Sequence, residues 1–152
     1  MSCPAVSVVM PVRDGARHLE QALASILRQD LRDFECIVCD DGSGDGTPAI
    51  LARLAAAETR LRVLRLPRAG IVAALNAGLA AARAPWVARM DADDIAAPDR
   101  LARQMEAAAR HPEAAAIGSA WRVVGPGGAA RRVIVPPLEP GAIAAPLLRH
   151  NP

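Results

Sequence analysis

Lysine and tyrosine are absent from this sequence of 152 residues, and aromatic residues are few. All 18 basic residues are therefore arginine, which excludes a Schiff-base lysine, a lysine general base and the lysine of a phosphate-binding P-loop. One phenylalanine and two tryptophans leave no aromatic platform on which single-stranded nucleic acid could stack. Together with a formal net charge of only +2, these absences predict that nucleic acid is not a partner.

Signals for export and for membrane insertion are also missing. No apolar run approaches the roughly 18 residues that a membrane-spanning helix needs, and the N-terminus lacks the regions typical of a signal peptide. The three cysteines are an odd number without a disulfide framework, which is consistent with a reducing compartment. We therefore expect a cytoplasmic protein without a transmembrane segment, associated at most loosely with the inner face of the membrane.

Cys36 and Cys39 have the C-x2-C spacing of many zinc sites. They lie in the run 34–39, which predicts a strand, and residues three apart on a strand point to opposite faces. No second pair of cysteine or histidine residues completes a zinc site. We therefore predict that both cysteines are core residues.

Strands and helices alternate four times along the first 110 residues. Apolar and β-branched runs predict strands over 6–10, 34–39, 61–66 and 86–90, and helical periodicity predicts helices after each of them, the first over 16–29 with Asp14 as its cap. Alternation of this kind indicates an α/β fold, an open and mostly parallel sheet with helices on both faces. Beyond it we predict a fifth strand over 114–119, a hairpin over 121–135 and a short helix over 139–149.

Two acidic clusters follow strands of this predicted sheet. Asp40 and Asp41 end the second strand, and Asp91, Asp93 and Asp94 come directly after the fourth. Ligands of open α/β sheets bind at the carboxyl ends of the strands, so both clusters are placed in one crevice. A divalent cation such as Mg²⁺ or Mn²⁺ would relieve the repulsion among the carboxylates of the second cluster. The competing interpretation is an acidic turn that water solvates.

Several other kinds of site are excluded by their missing residues. The segment 41–46 resembles a calcium loop, but position 12 of that loop would be Ala52 instead of a bidentate glutamate. No G-x-G-x-x-G follows the first strand, which argues against a nicotinamide dinucleotide, and no G-x-S-x-G is present. A nucleotidyltransferase stays open as an alternative, although the first loop carries only Arg13 where such enzymes usually have a glycine-rich basic loop.

Five blocks of the chain stand out within about residues 5–110: Val8–Arg13, Ser25–Gln29, Phe34–Ser43, Ala74–Gly78 and the DxD-type block Met90–Asp94. In their order and spacing these blocks resemble the family 2 glycosyltransferases of the GT-A fold. The resemblance implies an inverting, hexosyltransferase-like enzyme that takes its sugar from a nucleoside-diphosphate sugar, usually UDP-linked.

The resemblance also implies roles for residues of these blocks. Asp41 would hydrogen-bond the base with Asp40 beside it, and Pro11, Val12 and Arg13 would flank the base. Asp93 would hold Mn²⁺ or Mg²⁺ on the diphosphate, assisted by Asp91 or Asp94, while Asp91 and Asp93 would also contact the donor. Arg68 is a candidate for the phosphates, with a solvated side chain as the equal alternative, and Asn76 of the fourth block is included in the substrate-binding set.

The chain also departs from the family pattern. Position 13 is arginine where the family often carries an aromatic residue that stacks on the base. The family continues into an acceptor-binding half with an acidic general base, and no residue here can be nominated for that role; Asp99 and Glu106 are not candidates.

We therefore expect residues 1–120 to form the nucleotide-sugar-binding domain and residues 121–152 a hairpin and the start of a truncated acceptor-side region. The acceptor, a glycan or lipid-linked molecule such as those of cell-envelope polysaccharides, is unknown. A truncated, non-catalytic nucleotide-binding domain remains an alternative, and a homodimer would cover the sheet edge that truncation exposes.

Overall fold

The computed structural model describes residues 3–125 and 129–137. Its strands are β1 (Val6–Val12), β2 (Phe34–Asp40), β3 (Leu61–Arg65), β4 (Trp86–Arg89), β5 (Trp121–Val124) and β6 (Ala130–Ile134). Its helices are α1 (Leu19–Leu27), α2 (Thr47–Ala57), α3 (Ile71–Ala81) and α4 (Arg100–Arg110). The alternation of strands and helices predicted for the first 110 residues is confirmed.

The first four strands form one parallel sheet in the order β3-β2-β1-β4. Strand β1 lies at its centre, with Val6 opposite Phe34 of β2 on one side and opposite Trp86 of β4 on the other. Because all four strands run the same way, the loops after β1, β2, β3 and β4 leave the sheet at the same edge. That edge carries both acidic clusters.

Side chains alternate between two apolar layers, one on each face of the sheet. On one face Val8 and Met10 of β1 pack in a cluster that includes Leu23 of α1 and Leu51 of α2. On the other face Val9 packs in a smaller cluster with residues of α3. Helices therefore cover both faces, as the predicted fold class requires, and every residue of β1 and β2 is buried.

The two cysteines of β2 lie on opposite faces, as the strand geometry predicts. Cys36 belongs to the first apolar layer and Cys39 to the second. Burial raises the pKa of the Cys36 thiol to about 12 and also raises the pKa of Cys39. Both thiols therefore stay protonated near neutral pH and behave as small apolar core residues.

Helix α3 approaches the sheet closely at Gly78. A Cβ atom at this position would lie 2.9 Å from the Sγ atom of Cys39 and would overlap the side chain of Val9. Glycine is required here because any side chain would push the helix away from the strands. The glycine thereby allows α3 to pack directly against β1 and β2.

The chain divides into two compact units, Met1–Met105 and Glu106–Pro152. The first contains the parallel sheet. The second contains β5 and β6, an antiparallel pair with a register irregularity between Val123 and Val124, which confirms the predicted hairpin. The domain boundary predicted after residue 120 stays a prediction.

Several local predictions differ from the structure. The fifth strand predicted over 114–119 is wrong, because these residues form no regular element. Four of the five residues from 114 to 118 are alanine or glycine, which favour neither an extended backbone nor strand pairing. Helix α1 begins at Leu19 with His18 as its N-cap, so Asp14 is not the cap. The helix predicted over 139–149 lies outside the described residues.

A buried carboxylate ties three parts of the sheet together. Glu35 of β2 accepts hydrogen bonds from the hydroxyl of Ser7 (2.8 Å) and from the backbone N–H of Arg83 (2.9 Å), and it pairs with the guanidinium of Arg62 (2.8 Å). Burial by itself raises the pKa of this carboxyl. The hydrogen bonds that it accepts, those from Arg83 and Arg62 above all, outweigh burial and lower the pKa from 4.5 to about 2.

Replacing this carboxylate should destabilise the fold. We expect Glu35→Gln to lower the free energy of unfolding by about 2 kcal/mol near pH 7, because the half-exposed arginines lose their partner. The folded pKa lies below the usual value of 4.5, so the stabilisation is complete above about pH 4.5 and is lost as the pH falls toward 2. Urea unfolding of both proteins from pH 7 to pH 3 measures the difference.

Glu20→Gln is the matched control, because Glu20 forms an ion pair with Arg53 in which both side chains are exposed. That change should stay within about 0.5 kcal/mol of the wild type. A loss in Glu35→Gln that is equally small, or that does not shrink in acid, would contradict the stabilising role of the buried carboxylate.

Candidate functional site

A cavity of about 300 Å³ opens at the edge of the sheet where β1 and β2 end and α3 begins. It lies beside residues of three segments: Pro11, Val12 and Arg13 from β1 and its loop, Asp41 after β2, and Gly70, Ile71 and Ala74 from the start of α3. Four of the predicted substrate-binding residues are thus brought together. The walls are mainly apolar, and Arg13 and Asp41 supply the charged groups.

Asp41 is held by the backbone at the start of α3. Its Oδ1 atom accepts a hydrogen bond from the N–H of Ala69 (2.8 Å), and its Oδ2 atom accepts one from the N–H of Gly70 (3.0 Å). The N–H of Ala69 is the main cause of the lowered pKa of Asp41, with smaller contributions from Gly70 and from the charge of Arg13. The carboxylate therefore stays ionised while it lines the cavity.

Arg13 brings the positive charge to this cavity. Its Nη1 atom lies 3.5 Å from Oδ2 of Asp41, and its side chain is 45% exposed, against 5% for Asp41. A guanidinium carries five N–H donors, of which this contact occupies one at most. The remaining donors can bind an oxygen or nitrogen acceptor of a ligand beside Asp41.

Asp40 has a different place from its neighbour. It is buried, and its Oδ1 atom accepts a hydrogen bond from the N–H of Ser43 at 3.0 Å, which closes the turn after β2. It is not among the residues that line the cavity. A role in substrate binding stays a prediction for Asp40, whereas its role in the turn is visible.

Arg68 packs its backbone against the same turn. Gly42 has a φ of 69°, in the left-handed region, and a Cβ atom there would lie 3.1 Å from the backbone nitrogen of Arg68. The charge of Arg68 contributes to the lowered pKa of Asp41. Its side chain and that of Asn76 on α3 are exposed, and neither residue lines the cavity. Contacts of Arg68 and Asn76 with substrate therefore stay predictions.

The acidic loop, residues 91–94, follows β4 beside the loop after β1. The two loops approach where a Cβ atom on Gly15 would lie 3.9 Å from that of Ala92. Asp91 accepts two contacts from Nη2 of Arg89, at 2.8 and 3.0 Å. Desolvation and then the charges of Asp91 and Asp93 raise the pKa of Asp94, as expected for a carboxylate beside two like charges.

The acidic loop offers only part of a metal site. In residues 3–125 and 129–137, no three side chains of histidine, cysteine, aspartate or glutamate converge as a preformed metal site. Carboxylate oxygens suit Mg²⁺ and Mn²⁺, which commonly take one or two carboxylates and complete their shell with water and substrate phosphates. The donor set therefore fits a hard cation that arrives with a phosphorylated ligand.

Comparisons with known proteins can be set beside this geometry. The model of the family described as glycosyl transferase family 2 matches residues 7–146. The chain belongs to this family. EpsE of Bacillus subtilis (strain 168), named as a glycosyltransferase, is 34% identical over 146 residues, which are 94% of this chain and 52% of EpsE. The chain thus spans about half the length of that relative.

Two solved structures of other proteins are similar to this fold. The mannosyltransferase PcManGT from Pyrobaculum calidifontis, in complex with GDP-Man and Mn²⁺, is 33% identical with a TM-score of 0.65; the match covers 70% of this chain and 32% of PcManGT. TarS 1-349 of S. aureus, in complex with UDP, is 28% identical with a TM-score of 0.61, over 71% of this chain and 32% of TarS. These similarities confirm the predicted GT-A fold of this family 2 chain.

The helices described in the structure include none with the length and apolar character that crossing a membrane requires.

Sequence reasoning missed Gly70, Ile71 and Ala74 as residues that line the cavity. The turn formed by Pro67–Gly70 at the end of β3 marks the start of α3 and was the available signal, because the start of a helix after a parallel strand lies at the same sheet edge.

The turn after β2 gives a test of this geometry. We expect Gly42→Ala to destabilise the protein by about 1–3 kcal/mol, because alanine is strained at positive φ and its Cβ atom would crowd the backbone of Arg68. Thermal and urea unfolding measure the loss. Gly44→Ala, in the same loop but with nothing within 4 Å of the added Cβ atom, should change stability by less than about 0.5 kcal/mol. Equal effects of the two changes would contradict the close approach.

Proposed function

We propose that this family 2 chain is the donor-binding part of a glycosyltransferase that transfers a sugar from a nucleoside-diphosphate sugar, with metal assistance and inversion at the sugar carbon. The observation that carries the proposal is the cavity beside Arg13 and Asp41, which lies at the same sheet edge as the acidic loop. A base in the cavity and a diphosphate near the acidic loop would together span the loops after β1, β2 and β4.

The chemistry of the cavity supports a nucleotide base as its occupant. Pro11, Val12 and Ala74 give apolar contact for a flat ring. Beside them, the guanidinium of Arg13 donates hydrogen bonds and the carboxylate of Asp41 accepts them. A base edge that carries one acceptor next to one N–H donor matches this pair. Uracil and guanine both have such an edge, and the complexes of TarS with UDP and of PcManGT with GDP-Man represent both.

We propose UDP as the nucleotide product, as the family resemblance implies, with GDP as the direct competitor in the test. Arginine in place of an aromatic residue at position 13 can still contact a ring, because a guanidinium stacks on flat π systems. Uracil and guanine both present the base edge that Arg13 and Asp41 match, so the ratio of the two affinities is the quantity to measure.

Asp93 is the proposed principal metal ligand, with Asp91 or Asp94 assisting. Asp91 is already paired with Arg89, whereas Asp93 is exposed and accepts no hydrogen bond from the described residues. When bound, Mn²⁺ or Mg²⁺ would offset the negative charge that develops on the departing nucleoside diphosphate. The presence of Mn²⁺ in the PcManGT complex supports a divalent cation for this chain as well.

The acceptor side of the reaction is a further part of the proposal. An acidic general base would remove the proton of the acceptor hydroxyl as it attacks the sugar carbon opposite the diphosphate. The described residues offer no carboxylate for that task within the cavity besides Asp41, whose oxygens are already occupied. We therefore propose that the base belongs to an acceptor-binding region such as the longer relatives have room for.

Calorimetric titration of the chain with UDP and with GDP, each with and without Mn²⁺, tests the metal assignment. Asp93→Asn should weaken nucleoside-diphosphate binding at least tenfold in Mn²⁺ and leave metal-free binding unchanged, because the lost carboxylate acts through the cation. Asp33→Asn is the control, since Asp33 lies before β2 at the opposite edge of the sheet and is exposed. Equal affinities of Asp93→Asn and the wild type in Mn²⁺ would overturn the assignment.

Arg13 is tested in the same experiment without the metal. We expect Arg13→Ala to reduce nucleotide affinity by roughly tenfold whether or not Mn²⁺ is present, because it removes charge-assisted hydrogen bonds to the base. Arg32→Ala removes an exposed arginine from the opposite edge and should have no effect. Binding of neither nucleotide by the wild type would refute the donor-binding function, and binding without hydrolysis or transfer would favour a non-catalytic nucleotide-binding domain.

A further inference from the structure

The loop after β1 is joined to the loop after β2 by hydrogen bonds that the proposed function does not use. The backbone N–H of Asp14 donates to Oγ of Ser43 at 2.9 Å, and the N–H of Gly44 donates back to Oδ1 of Asp14 at 2.8 Å. Asp14 thus donates one hydrogen bond to the loop after β2 and accepts another from it. Residues 14 and 43 are locked together although 29 positions separate them.

Two more hydrogen bonds extend the contact. The N–H of Gly15 donates to Oγ1 of Thr47 at 3.0 Å, and the N–H of Ala16 donates to Oδ2 of Asp45 at 3.0 Å. The second oxygen of Asp45 accepts the N–H of Thr47 at 2.9 Å, so the acceptors are themselves fixed. We call these four bonds, two made by Asp14 and one each by Gly15 and Ala16, the inter-loop hydrogen bonds.

Asp14 has an unusual backbone conformation. Its φ is 53°, and it is the non-glycine residue with positive φ in the described part of the chain. Aspartate tolerates the left-handed region better than most residues, and such conformations persist where surrounding contacts hold them. The left-handed conformation of Asp14 comes directly after Arg13, so the backbone on the C-terminal side of Arg13 is held in a defined direction.

Among residues 3–125 and 129–137, Asp41 is the one charged partner recorded for the Arg13 side chain. Its contact with Asp41 is 3.5 Å long, and its side chain is nearly half exposed. A single ion pair of that kind restrains a long, flexible side chain weakly. A guanidinium that must meet a ligand in one orientation therefore depends on the backbone to which it is attached.

We propose that Asp14 is a positioning residue for the nucleotide cavity: through the inter-loop hydrogen bonds it fixes the backbone of the β1 loop so that Arg13 faces Asp41. The inference rests on the proposed function in that the cavity takes a nucleotide. It adds a residue that does not line the cavity and that acts on the ligand only through Arg13.

Two substitutions distinguish the backbone conformation of Asp14 from the hydrogen bond that its side chain accepts. Asp14→Asn keeps the tolerance for positive φ and an Oδ1 acceptor for Gly44, so UDP or GDP affinity should stay within about twofold of the wild type. Asp14→Gly keeps the backbone conformation but removes the acceptor. It should lower the affinity for the nucleotide that the wild type prefers by about fivefold, as the loss of one ordering hydrogen bond implies. Asp33→Gly, which also converts an exposed loop aspartate, is the matched control and should leave affinity unchanged.

A double-mutant cycle distinguishes positioning from general destabilisation. If Asp14 acts through Arg13, Asp14→Gly should cause no further loss of affinity in the Arg13→Ala background. Losses that add in the double variant, an unchanged affinity in Asp14→Gly, or an equal loss in Asp14→Asn would each overturn the inference while leaving nucleotide binding by the wild type intact.

The inference can also be tested without ligand, which separates its failure from failure of the proposed function. In ¹⁵N spectra of the free protein, the Nη–H signals of Arg13, the group that faces Asp41, should exchange with water several-fold faster in Asp14→Gly than in the wild type, whereas Asp14→Asn should match the wild type. An unchanged exchange rate in Asp14→Gly would overturn the positioning role even if no nucleotide binds.

Discussion

The hydrogen bonds between Asp41 and the two backbone amides that directly precede α3 are the contact on which this site depends. They join the end of β2 to the start of α3, the helix that follows β3. They also keep the Asp41 carboxylate ionised although its side chain is almost fully buried. Without them, the start of α3 would have unpaired N–H groups beside an apolar cavity, which is costly. The same carboxylate holds the charge opposite Arg13. The Asp41 side chain thus holds the start of α3, forms part of the cavity wall and supplies the negative charge opposite Arg13.

Much of the architecture follows from short-range sequence patterns. The β-branched run that forms β1 has apolar residues at every position except Ser7, which is typical of a strand covered on both faces, and both faces are covered. The parallel arrangement then follows from the intervening helices, and the positions of both acidic clusters follow from the direction of the strands. The opposite placement of Cys36 and Cys39 required nothing beyond the twofold periodicity of a strand.

The details of the site depend on contacts between distant residues, which periodicity does not report. Asp40 and Asp41 are neighbouring residues of the same type, yet they have different partners. Asp40 closes its own turn, whereas Asp41 accepts hydrogen bonds from the amides of Ala69 and Gly70, 28 and 29 residues away. The left-handed backbone of Asp14 is likewise held by partners in another loop, so its apparent role as a helix cap was wrong. A fifth strand was predicted from an alanine-rich segment whose weak preference for extended structure leaves the outcome to tertiary packing.

The burial of two of the three thiols has a practical consequence for labelling. Cys36 and Cys39 are shielded on opposite faces of β2 and hold their protons tightly, so thiol reagents should reach them only when the sheet opens. Cys3 is exposed and precedes β1, at the end of the sheet away from the cavity. Because lysine is absent, amine reagents have no side chain to modify. A fluorophore or spin label can therefore be attached at one chosen point of the native protein, where it does not obstruct the cavity.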